Sequence, residues 1–138
     1  MTSKNIEIPN TLEECLKQLM KQNKKEDLAK WSKTSEDNAT SSIHFTTGMN
    51  LRNNWKLWDK TSPLSKYFKT IGIVHADDMS GIILTSLYRT LNGKDIDLES
   101  QVKYYRDYWT KMGVNPDTME ETEDYNPNRN FVIIKKRK

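Results

Sequence analysis

The hydrophobic positions of this chain recur at steps of three and four residues, the spacing of one face of an α-helix. This pattern predicts five to six short-to-medium helices, with a loop over Thr34–Ser42. The first helix is expected to run from a cap at Asn10 or Thr11 to about Gln22, and the others to lie over about Glu26–Lys33, Ser42–Trp55, Pro63–Thr70, His75–Asn92 and Leu98–Met112. The predicted fold class is all-α, a compact single-domain bundle with a C-terminal extension.

The third predicted helix is the most aromatic part of the chain, and the bundle is expected to form around it and the fifth helix. Residues at steps of four, three, four and three share one of its faces: His44, Gly48, Leu51, Trp55 and Trp58. Such an aromatic stripe is expected to be buried. In the fifth helix, Ser80 and Gly81 are small enough to let a neighbouring element approach closely.

The chain changes character after Gly113, which is expected to end the sixth helix. An acidic run follows, and the chain ends on basic residues. We therefore predict a helical domain over residues 1–113 and an acidic-then-basic extension over residues 114–138. Residues 131–134 favour β-structure, so they form either a short strand laid across the helices or part of a mobile tail.

Composition and charge narrow the class of protein. At 138 residues the chain can bury its own core, and its single cysteine, Cys15, excludes an internal disulfide framework. The net charge is +3, but Lys135–Lys138 alone carries four positive charges, so the basic character belongs to the tail and not to a nucleic-acid-binding face. No signal peptide is evident, and no apolar run approaches the roughly 20 residues that span a bilayer. We expect a cytoplasmic protein without a membrane partner.

One group of residues could carry chemistry: His44, Arg52, His75, Asp77 and Asp78. A histidine with paired carboxylates could bind a divalent metal or transfer protons, and an arginine could hold a phosphate or a carboxylate. The two acids, however, fall at a predicted helix start, where free backbone N–H groups and the helix dipole stabilise negative charge. Helix capping is therefore the favoured interpretation of Asp77 and Asp78.

Arg52 lies in the aromatic segment near Trp55 and is expected to form an ion pair with Asp77 or Asp78 that ties the third helix to the start of the fifth. If the two motifs instead enclose a pocket, the candidate ligand-binding residues are His44, Arg52, Trp55, His75, Asp77 and Asp78. The chain has no glycine-rich phosphate loop, no Gly-x-Ser-x-Gly elbow and no catalytically spaced Cys/His pair. We therefore assign no catalytic residue, no metal site and no cofactor.

Two motifs together resemble a family of small bacterial and phage proteins known as a domain of unknown function. The first is H-F-x-x-G-x-x-L-R-N-x-W-x-L-W, from His44 to Trp58, and the second is H-x-D-D-x-S-G-I-I, from His75 to Ile83. The resemblance extends from about Thr11 to the tyrosine- and tryptophan-rich sixth helix. It implies one compact domain and no established activity.

These observations favour a non-enzymatic protein-binding module, in a bacterium or phage an immunity, antitoxin-like or anti-defence factor. The alternative is a small-molecule or anion-binding protein, or a small hydrolase, with its pocket formed by His44, Arg52, His75, Asp77 and Asp78. Nucleic-acid binding through the basic tail ranks last. The oligomeric state and the identity of the partner stay open.

Overall fold

The computed structural model describes residues 7–126, and helices make up most of that range. In chain order they are α1 (Leu12–Gln22), α2 (Lys25–Ser32), α3 (Glu36–Ser42), α4 (Thr47–Asn54), α5 (Pro63–Thr70), α6 (Ala76–Leu91) and α7 (Leu98–Met112). Extended backbone pairs at a single place in this range, an antiparallel bridge between Val114 and Glu121. The predicted all-α class is confirmed, but the described residues form seven helices and not five to six.

Helix α6 lies at the centre of the bundle, because it contacts each of the other six helices. Its side chains Ile82 and Ile83 are fully buried, and burying one such side chain contributes about 1.5–3 kcal/mol. Ser80 is also fully buried, so a small residue faces the interior where α6 meets its neighbours. Helix α6 is thus packed against neighbouring helices on several sides.

Two helix boundaries are set by residue types that commonly begin or end helices. The Ser62 side chain accepts a hydrogen bond from the backbone N–H of Ser65, and Pro63 lies at the start of α5. Gly113 ends α7 in the left-handed conformation, at a φ of 82°. The predicted bounds of both helices are confirmed.

The predicted loop over Thr34–Ser42 is wrong, because α3 forms there. Ser35 caps this helix by accepting a hydrogen bond from the backbone N–H of Asn38. Glu36 in its first turn binds the guanidinium of Arg89 on α6, with N–O distances of 2.9 and 3.0 Å. A seven-residue polar helix shows little hydrophobic periodicity, so tertiary contacts decide whether it forms.

The predicted helix Ser42–Trp55 is wrong in its extent, because α4 occupies only its second part. Leu51 and Trp55 are buried as predicted. Lys56 then takes a positive φ of 54°, which turns the chain and ends the helical periodicity. Trp58 is consequently 57% exposed, and the prediction that it belongs to the buried stripe is wrong.

The residues after α7 fold back on its C-terminal end. Both the backbone N–H and the hydroxyl of Thr122 donate hydrogen bonds of 2.8 Å to the carbonyl of Gly113. The strand predicted at residues 131–134 lies outside the described residues, and the division into residues 1–113 and 114–138 stays a prediction. None of the helices within residues 7–126 is long and apolar enough to cross a bilayer.

Candidate functional site

His75 fixes the start of α6. Its Nδ1 accepts a hydrogen bond of 3.0 Å from the backbone N–H of Asp77, so His75 is the N-cap residue. Asp77 and Asp78 occupy the first turn, where the helix dipole favours negative charge. The predicted position of both acids at the helix start is confirmed, but the capping side chain is that of His75, whereas the carboxylates of Asp77 and Asp78 contact Arg52 and Trp109. Because Nδ1 is the acceptor, the neutral imidazole carries its proton on Nε2.

Arg52 joins α4 to the head of α6. Its Nη1 donates a hydrogen bond of 2.7 Å to the Ser80 hydroxyl, and its Nη2 donates one of 3.2 Å to the carbonyl of His44. Its Nε lies 3.3 Å from Oδ1 of Asp77. The predicted ion pair between the aromatic segment and this helix is confirmed, with Asp77 as the partner. The Arg52 side chain is only 4% exposed. Its guanidinium is therefore occupied by these three contacts and does not face solvent.

Asp78 points to α7 and is buried. Its Oδ2 accepts a hydrogen bond of 2.7 Å from the indole N–H of Trp109. The Trp109 ring also stacks on His75, with centroids 5.5 Å apart and planes inclined by 22°. Burial raises the pKa of Asp78 above its ordinary value, and the hydrogen bond from Trp109 opposes that shift. Burial, with a contribution from the Asp78 charge, raises the pKa of the nearby Tyr105 to about 12.

His75 also lines a cleft of about 410 Å³. We call it the Trp58 cleft, after the exposed tryptophan in its wall. Its lining combines the buried apolar residues Leu57 and Met79 with polar residues of α5, the start of α6 and the 117–120 turn. Trp58 packs edge-on against His75 at a centroid distance of 5.8 Å. The volume lies within the range of about 300–1,000 Å³ that is usual for ligand pockets.

The predicted site residues converge on the head of α6 without sharing this cleft. Within the described chain, His75 is the one of the six candidates that lines it. Arg52 and Asp78 are buried in the contacts given above, and Trp55, 2% exposed, belongs to the core. His44 contributes its backbone carbonyl to Arg52, not its ring. Across residues 7–126, no group of three or more His, Cys, Asp or Glu side chains is arranged to hold a metal ion.

Most of the residues that line the cleft were not among the predicted site residues, and three of them have side chains suited to ligand contact: Trp58, Lys60 and Lys69. Trp58 was assigned to the buried stripe because its spacing fits a helix that in fact ends before it. The two lysines are among 22 lysine and arginine residues and carry no periodic signal. Only the turn after α4 and the position of α5 bring them together.

Comparison with known proteins gives a family but no activity. A family model described as a domain of unknown function (DUF6794) matches residues 8–91, which span α1 to α6 and both motifs. No curated protein and no solved structure matches the chain.

Proposed function

This chain belongs to the family described as a domain of unknown function (DUF6794), and from its own side chains we propose that it is a non-enzymatic protein-binding module. One observation carries the proposal. Among the described residues, four large apolar side chains are exposed, and three of them, Phe45, Met49 and Trp58, come from one short segment. Their exposed fractions are 74%, 46% and 57%. Contiguous exposed apolar surface is typical of sites that bind another protein, and in this proposal the three side chains together provide such a surface.

The segment that displays these side chains, residues 43–58, is firmly anchored. Leu51, Trp55 and Leu57 are buried in the core, and Arg52 fastens the same segment to α6. A surface held in one conformation loses little conformational entropy on binding, which favours affinity. In this proposal the buried residues of the motif hold the segment in place, and its exposed side chains contact the partner protein.

The proposal also specifies the kind of protein partner and the kind of biological role. Phe45 and Trp58 are the aromatic anchors that dominate binding energy at many interfaces, and they fit a partner with apolar pockets. In a bacterium or phage, a small cytoplasmic module of this kind would act as an immunity, antitoxin-like or anti-defence factor. Such factors work by occupying a surface of their target, which requires no catalytic group.

The test compares capture of a partner by the wild-type chain and by matched variants. The triple variant Phe45→Ser/Met49→Ser/Trp58→Ser removes the proposed contact, whereas Tyr104→Ser removes the fourth exposed side chain, which lies on α7. We expect cross-linking in native lysate, read by mass spectrometry, to yield one stoichiometric partner with the wild type and with Tyr104→Ser. The triple variant should recover at least about tenfold less of it, since one hot-spot residue contributes about 2 kcal/mol.

Two results would contradict the proposal. The first is that the wild-type chain yields no stoichiometric partner. The second is that the triple variant captures the same partner as well as Tyr104→Ser does. Circular dichroism and the thermal midpoint of each variant separate a lost contact from a lost fold, because the substituted side chains are exposed and the core is left intact.

A further inference from the structure

The Trp58 cleft has the composition of a ligand site and not of a simple surface depression. It places an exposed indole, Trp58, beside His75, over apolar residues that include Met79. Aromatic side chains in a cleft offer a face on which a planar ring can stack, while the apolar lining excludes water from it. Neither the family description nor the proposed protein contact assigns this cleft a role.

The charged residues that line the cleft favour the binding of a negatively charged ligand. Lys60 and Lys69 both line it, and neither forms an ion pair with any residue in the described part of the chain. Asp117 also lines it, but its carboxylate is bound by Arg106 at 2.9 Å and is therefore offset. Glu120 contributes the one remaining carboxylate. Two lysines against one glutamate leave the cleft with an excess of positive charge.

His75 adds a hydrogen-bond donor to this surface. Since its Nδ1 accepts the backbone N–H of Asp77, the neutral ring donates through Nε2. Its side chain is 30% exposed, so a ligand in the cleft can reach the ring. The polar groups of Lys60, Lys69 and His75 are all donors, which suits a carboxylate or phosphate and not a cation.

We infer that the Trp58 cleft binds a small molecule that combines a planar aromatic ring with a carboxylate or phosphate group. The ring would stack on Trp58, and the anionic group would lie between the two lysines. This site shares Trp58 with the proposed protein contact, but it also uses Lys60, Lys69 and His75 and does not require Phe45 or Met49, so variants of these residues separate the two.

The experiment titrates the isotope-labelled full-length chain with defined probes by nuclear magnetic resonance. Adenosine monophosphate and 2-naphthoate carry both features, whereas adenosine lacks the anion and inorganic phosphate lacks the ring. We expect at least one complete probe to shift the indole N–H signal of Trp58 saturably, with an affinity about tenfold above those of adenosine and phosphate, since stacking and charge each contribute. The indole signals of Trp31 and Trp55, which lie outside the cleft, should not move.

Matched variants locate the site. Lys69→Gln and Lys66→Gln remove the same charge from exposed positions of one helix, α5, but only Lys69 lines the cleft. By calorimetry, Lys69→Gln should weaken binding about threefold to fivefold and Lys66→Gln less than twofold, as expected for a screened ion pair. Trp58→Ala should weaken it about tenfold or more.

The inference is overturned if neither complete probe shifts the Trp58 signal saturably at millimolar concentration. It is equally overturned if Lys69→Gln and Lys66→Gln bind the probe alike, because the anion would then lie elsewhere. These outcomes leave the protein-binding proposal standing. Conversely, Phe45→Ser/Met49→Ser can abolish partner capture without changing probe affinity, so the two proposals fail separately.

Discussion

At the scale of single residues, the buried guanidinium of Arg52 explains why position 48 is a glycine. A Cβ atom added at Gly48 would lie 3.0 Å from Nη1 of Arg52. That nitrogen cannot easily move, because it donates a hydrogen bond of 2.7 Å to Ser80. Gly48 is therefore needed for space and not for an unusual backbone conformation.

We predict that Gly48→Ala destabilises the protein by about 1–2 kcal/mol, although alanine in a helix is normally favoured over glycine by about 1 kcal/mol. The added methyl group displaces the guanidinium from Ser80 and from the carbonyl of His44. Urea denaturation of both proteins measures the difference. A variant more stable than the wild type would contradict this account of the site.

A double-mutant cycle supplies the control. Arg52→Met alone should cost about 1–3 kcal/mol, because it removes the hydrogen bonds of a buried guanidinium to Ser80 and His44 and its ion pair with the partly exposed Asp77. In the Arg52→Met background the steric conflict is absent, so Gly48→Ala should become neutral or stabilising. An unchanged cost in that background would show that position 48 is constrained by something other than Arg52.

At the scale of elements, α6 and α7 are joined by a buried carboxylate. Asp78 is 7% exposed and accepts the indole N–H of Trp109. Its pKa in the folded protein is raised by burial, so the folded state holds the proton more tightly than the unfolded state. The contribution of Asp78 to stability is therefore greatest at low pH and falls as pH rises through its folded pKa.

We predict that Asp78→Asn raises the thermal midpoint at pH 7. The amide oxygen can still accept the hydrogen bond from Trp109, and no buried charge has to be desolvated. The gain should disappear below the ordinary carboxyl pKa of 3.8, where the wild-type side chain is neutral as well. Melting curves from pH 3 to pH 7 test this, and a lower midpoint of the variant at pH 7 would show that the charge at the helix start is net stabilising.

The sequence predicts those helices whose first or last residues are of types that favour helix ends. Pro63 and Gly113 mark α5 and α7, and the paired acids mark the head of α6. The expectation that Ser80 and Gly81 admit close neighbours is also confirmed, because Arg52 bonds to Ser80 and a Cβ at Gly81 would lie 2.5 Å from the Tyr105 hydroxyl oxygen. Helix α3 could not be predicted, since its stability depends on an ion pair to a residue 53 positions away.

The contacts of the candidate site likewise divide into those that could be predicted from the sequence and those that could not. The Arg52–Asp77 pair could be predicted, because opposite charges lie in two motifs on adjoining helices. The contact of Asp78 with Trp109 and the Trp58 cleft could not, since both join residues from distant parts of the chain and depend on how the helices pack. Trp58 faces the cleft because the backbone of Lys56 adopts the left-handed conformation and turns the chain there. No feature of the sequence indicates this conformation.

At the scale of the whole molecule, Arg106 on α7 connects the 117–120 turn of the cleft wall to the segment between α5 and α6. Its Nη1 donates to the carbonyl of Gly72, between α5 and α6, and to Asp117 in the cleft wall, each at 2.9 Å. The wall also has its own backbone hydrogen bonds, including one of 2.7 Å from Met119 to the carbonyl of Asn115. Arg106 is thus the side chain that fastens this small turn to the helical body.

We predict that Arg106→Ala loosens the cleft wall and leaves the core intact. The lost contacts are partly exposed and contribute about 1 kcal/mol, so amide hydrogen exchange at Met119 and Thr122 should accelerate about fivefold, while exchange at Ile82 and Ile83 in α6 should not change. Lys103→Ala is the matched control, because Lys103 pairs with Asp107 within α7 itself. Equal acceleration at α6 would indicate global destabilisation, and no acceleration at the turn would mean that its backbone hydrogen bonds alone hold the wall in place.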